Sequence, residues 1–109
     1  MIVKQIPVGP MANFGYVLGC EETGIGALVD PSFEPEKLVG MAKEVGLKIE
    51  WILSTHGHFD HINGNEVAVE MTGARIAGHS SAKFHVDRKL EHGDEIRIGK
   101  IPVEVLYTP

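Results

Sequence analysis

Three histidines and an aspartate fall within the six residues His56-Gly57-His58-Phe59-Asp60-His61, shortly after the apolar run Trp51-Ile52-Leu53. Imidazole nitrogen and carboxylate oxygen are ligands for zinc and similar divalent ions. If the chain leaves a strand at Thr55 and stays extended, His56 and His58 project the same way, because side chains alternate with period two. Two imidazoles then converge on one ion. Asp60 and His61 follow a turn and face a neighbouring point, so one loop could start two metal positions about 3–4 Å apart, as in two-metal hydrolytic sites. Gly57 lets the backbone bend between the first two ligands. The plainer reading, a polar surface loop that happens to be rich in histidine, accounts poorly for this density of donors directly after a buried strand.

These residues need a strand before them and a helix after them, and the flanking sequence offers both. Glu50 to Ser54 reads as the strand. Asn63 and Glu66 stand at capping-box spacing and open a helix that Gly73 ends, with Val67 and Met71 one turn apart. The ligands thus sit between a strand's carboxyl end and a helix's amino end, the usual place for ligands in open α/β sheets. A helix amino end also favours anions nearby.

Upstream, Ile2 to Val8, Phe14 to Cys20 and Ile25 to Asp30 read as three short strands in an antiparallel meander. Glu21-Glu22-Thr23-Gly24 forms the second turn. Pro7 suits an edge or a strand end. Glu34 to Gly46 reads as a helix with Pro35 in its first turn and Leu38, Met41, Ala42 and Val45 as its apolar stripe. Gly46 is its stop. A strand reached through that helix should lie parallel to an earlier one. Ala74 to Gly78 is a further strand, Ser80 to Val86 a helical turn, and Asp94 to Ile98 with Ile101 to Tyr107 a hairpin around Gly99-Lys100. Asp30, at a strand end, is either part of a turn with Ser32 or a carboxylate beside the site. His79, also after a strand end, is a candidate pocket residue. His85 and His92 read as surface residues.

The stretch His56-x-His58-x-Asp60-His61 resembles the metal-binding signature of the metallo-β-lactamase superfamily. Ile6-Pro7-Val8, Phe14-Gly15-Tyr16-Val17-Leu18 and Ala27-Leu28-Val29-Asp30-Pro31 resemble the opening strands of its glyoxalase II-like (hydroxyacylglutathione hydrolase-like) branch, so the likeness runs from Met1 to Pro109. It implies an α+β fold: half of an αβ/βα sandwich, with a mixed, mainly antiparallel sheet and helices on one face. Residues 1–109 would be the N-terminal half of such a domain. His56 and His58 match ligands of a first metal, and Asp60 and His61 match ligands of a second. Asp30 matches an aspartate that supports the site from behind, and Thr55 and Asn63 are placed to steady the ligands by hydrogen bonds.

The activity implied is hydrolysis of a thioester by a metal-bound hydroxide, with two zinc ions and with Asp60 holding the second ion and orienting the hydroxide. A related branch implies a single iron and persulfide oxidation instead. In the family, a strand like Val105-Leu106-Tyr107-Thr108-Pro109 leads into a loop that supplies a third imidazole, and a bridging aspartate and a last histidine come later. The expectation is therefore an incomplete site in the 109-residue chain. It would be inactive alone, and would either self-associate or pair with a complementing C-terminal half. A non-catalytic metal-binding half-domain is the reading from outside enzymology.

Bulk properties fit this frame. At 109 residues the chain makes one domain at most. Hydrophobic residues form 43% and charged residues 23%, ordinary for a soluble globular protein. A formal net charge of -5 disfavours nucleic acid and anionic membranes as partners; it says little about a small substrate, which the resemblance implies to be an acyl or thioester compound. The single cysteine, Cys20, permits no internal disulfide and suits a reducing cytoplasm. With no activating group near it in sequence, it reads as a small hydrophobe. The amino-terminal stretch lacks the long apolar region of a signal peptide.

Overall fold

The computed structural model describes residues 1–8, 13–31, 34–54, 65–79 and 86–104. Its strands are β1 (Ile2–Val8), β2 (Asn13–Cys20), β3 (Ile25–Val29), β4 (Lys48–Ser54), β5 (Arg75–His79), β6 (Arg88–Leu90), β7 (Glu95–Ile98) and β8 (Ile101–Glu104), and its helices are α1 (Pro35–Glu44) and α2 (Asn65–Thr72). Strands β1 to β6 form one sheet in sequence order, and β7 pairs with β8 in a second, two-stranded sheet. Strands β1, β2 and β3 are antiparallel, the expected meander. The passages from β3 through α1 to β4 and from β4 through α2 to β5 are crossovers, so β4 lies parallel to β3 and β5 parallel to β4. The sheet is mixed, as expected, with the helices on one face.

Alternation within the strands decides what each face carries. Val17, Leu28, Ile52 and Ile76 meet Leu38, Val39 and Ala42 of α1 and Ala68 of α2 in the main core. Glycines on β2 make room for Leu38 of α1 and for Leu47 just after it. A Cβ at Gly15 would lie 2.8 Å from Leu38 Cδ2, and one at Gly19 would lie 2.6 Å from Leu47 Cδ2. The helix stops through a Schellman arrangement: the Leu47 N–H donates to the Ala42 carbonyl (2.9 Å) and the Gly46 N–H to that of Lys43 (3.1 Å). Gly46 takes φ +75 there, the left-handed conformation that a glycine adopts without steric cost. Gly40, by contrast, lies exposed within α1, and a Cβ there would meet nothing within 4 Å. Gly40→Ala should stabilise the protein by about 0.5–1 kcal/mol, read as a higher denaturation midpoint, because alanine gives up less backbone entropy on entering a helix.

The opposite face carries a second core of Ala27, Trp51, Ala77 and Leu90, covered by Ile96 and Ile98 of β7. A bulge makes this possible. Gly26 pairs with Ile49, but Ala27 pairs with Trp51, so Glu50 is an extra residue. Ile49 therefore joins the helix-side core while Trp51, two residues on, faces the hairpin. The Arg75 guanidinium stacks 4.2 Å from the Trp51 ring centroid.

Several expectations are corrected here. The strand expected from Glu50 starts at Lys48, and the helix expected over Glu34 to Gly46 is confined to Pro35–Glu44. Val67 and Met71 are 42% and 43% exposed, and α2 turns small Ala68 to the sheet. Strand β6, unforeseen, is only three residues long. Asp87 sets it beside β5: its N–H donates to the Ile76 carbonyl (2.8 Å), and its Oδ2 accepts from the Ile76 N–H (2.7 Å). The β7–β8 hairpin covers much of the sheet's second face. That face stays open at the β1–β2 end, where Val3 is 53% and Phe14 45% exposed. The helical turn expected at 80–86 lies almost wholly outside the described residues.

Candidate metal centre

Strands β3, β4 and β5 are parallel neighbours, so their carboxyl ends share one edge of the sheet. Val29 pairs with Leu53, and Ser54 with Gly78, which brings Asp30, Ser54 and the end of β5 at His79 to that edge. The ten-residue stretch 55–64 leaves from Ser54 and returns as α2. The sequence motif thus follows the carboxyl end of β4, a strand whose Ile52 is fully buried. Thr55, His56, His58, Asp60, His61 and Asn63 themselves lie outside the described residues, as do Ser32 and His85. Among the described residues, no group of three or more His, Cys, Asp or Glu side chains could hold a metal ion.

Asp30 is the expected site residue on which the structure says most. It is 6% exposed, and its backbone N–H donates to the Leu53 carbonyl at 3.0 Å. This bond ties the exit of β3 to β4 just ahead of the histidine loop. Among the described residues, Asp30 is also the one non-glycine with positive φ, at 49°. The residue before a proline is ordinarily driven to extended backbone, and Asp30 precedes buried Pro31. Such strain persists only where the surroundings over-determine it, and it gathers at functional sites. Of the other candidates, His79 closes β5 opposite Leu90. His92 is exposed in the turn between β6 and β7, the surface placement expected of it.

Cys20 departs from its reading as a simple hydrophobe. Hydrogen bonds from the Thr23 hydroxyl and the Lys100 backbone N–H, with further ones from the Thr23 and Glu22 backbone, lower its pKa from 9.0 to about 7. The Thr23 oxygen accepts from the Ile25 N–H (3.3 Å), leaving its proton for the sulfur. The thiol is only 3% exposed, yet burial opposes ionisation less than these donors favour it. The activating groups are Thr23, three residues away, and Lys100, which only the fold brings near. Because the folded pKa is depressed, the stabilisation is complete above the unfolded value near 9 and disappears as pH falls through about 7. The denaturation midpoint of the wild type relative to Cys20→Ser should therefore rise between pH 7 and 9; a pH-independent difference would disprove the linkage.

The chain belongs to the metallo-β-lactamase superfamily, whose family model matches residues 8–108. Among its curated relatives is a hydroxyacylglutathione hydrolase from Polaromonas sp., 39% identical over an alignment that covers 100% of this chain and 43% of that protein. Among solved structures, ETHE1 from Myxococcus xanthus superposes with a TM-score of 0.85 at 29% identity, covering 94% of this chain and 46% of that one. TTHA1623 in a di-iron-bound form gives 0.72 at 27% identity, over 86% of this chain and 57% of that one. The chain thus spans less than half the length of the hydroxyacylglutathione hydrolase it matches. Among the described residues, no helix is long and apolar enough to cross a membrane.

Proposed function

We propose that residues 1–109 form the N-terminal, metal-binding half of a thioester hydrolase of the hydroxyacylglutathione hydrolase kind. The observation that carries this reading is similarity, over the whole of this chain, to part of such a hydrolase, joined to the donor set His56, His58, Asp60 and His61 shortly after β4. The donors fit two divalent ions by their chemistry: His56 and His58 for the first, Asp60 and His61 for the second. Ions held there would polarise a substrate carbonyl and bring the pKa of water towards neutrality. Asp60 also orients the attacking water. Thr55 and Asn63 steady the ligands, Asp30 braces the strand ends beneath the loop, and His79 lines the approach. A reducing, cytoplasmic setting accords with the single cysteine.

Two protein ligands per ion are fewer than the three that catalytic zinc usually keeps. The working site on this reading draws further ligands from a complementing C-terminal half or a second copy, and the 109 residues alone are a non-catalytic module. The test is thioester hydrolysis with added zinc, by the chain alone and after mixing with a segment that supplies the downstream ligands. Activity only on mixing is expected. Activity of the monomeric chain alone would overturn the half-site account, and absence of activity from a correctly assembled mixture would overturn the hydrolase. Light scattering that shows a stable monomer at high concentration would remove the second copy as partner.

The alternative is an iron enzyme of the persulfide dioxygenase kind on the same fold. The similarity to ETHE1 supports this alternative, and a similar protein solved in a di-iron-bound form supports iron as an ion the fold can take. Metal analysis of protein produced without supplementation separates the two: zinc supports the hydrolase, and iron moves the assignment to the alternative.

A further inference from the structure

We draw no further inference here: the strongest candidate, the uncharged stripe of Val3, Gln5, Pro7, Phe14 and Tyr16 on the hairpin-side face of β1 and β2, belongs to the association already proposed, and nothing in the structure shows whether a second copy or further chain covers it.

Discussion

Replacing His58 by alanine should weaken zinc binding by the chain by at least about 100-fold, the upper end of what losing a mere supporting contact to a ligand costs. With two imidazoles assigned to the first ion, removal of one leaves a single protein donor, and a lone imidazole competes poorly with water. His56→Ala should do the same. Asp60→Asn should weaken the second ion while sparing the first, because it takes away a charge but leaves His56 and His58 in place. His92→Ala is the control: that residue is exposed in the turn between β6 and β7 and should leave affinity unchanged. Chelator competition gives the affinities, and thermal unfolding without metal shows whether each variant still folds. If His58→Ala binds zinc as the wild type does while His92→Ala does not, the ligand assignment is wrong.

Such an experiment isolates the loop because the scaffold beneath it is independently held. The Asp30 N–H bond to Leu53 and the pairing of Ser54 with Gly78 are backbone contacts that tie the strand ends together. Substitutions at residues 56–61 should therefore change affinity far more than stability.

The candidate donors stand out in the sequence because chemistry concentrates there: four side chains of metal-ligating type in six residues do not read as core. The meander and α1 were legible for a different reason, since each buries one face and so shows its period, whereas α2 showed through its end signals, Gly73 above all. What stayed hidden was set by contacts between distant residues. Ile49 and Trp51 share a parity, and only the bulge at Glu50 sends them to opposite faces. Strand β6 is too short to show any alternation, and Asp87 rather than a hydrophobic pattern places it. The lowered pKa of Cys20 rests first on the Thr23 hydroxyl and then on the Lys100 backbone N–H, eighty positions away in sequence. Asp30 could be singled out by its place at a strand end, but its left-handed backbone could not, because Asp-Pro argues for extended conformation.

The largest effect on stability should come from the contact between α1 and β2. Leu38 is fully buried, and its Cδ2 occupies the space a Cβ would take on Gly15. Leu38→Ala removes that filling and should cost about 2–5 kcal/mol, the range for leucine truncation in a close-packed core. That is a large share of the roughly 5–15 kcal/mol that holds a typical domain together. Gly15→Ala alone should cost about 1–3 kcal/mol, because the new methyl meets Leu38 on one side and the Asp30 carbonyl, at 3.0 Å, on the other. Combined, the two changes should be markedly less than additive, since truncating Leu38 vacates the space the methyl needs. The coupling should be at least about 1 kcal/mol in favour of the double variant, measured as a denaturant-unfolding cycle. The remaining cost of Gly15→Ala in the Leu38→Ala background reports the squeeze on the Asp30 carbonyl, and so how rigidly the end of β3 is held beneath the histidine loop. Strict additivity would mean that the backbone, not Leu38, sets the need for glycine at position 15.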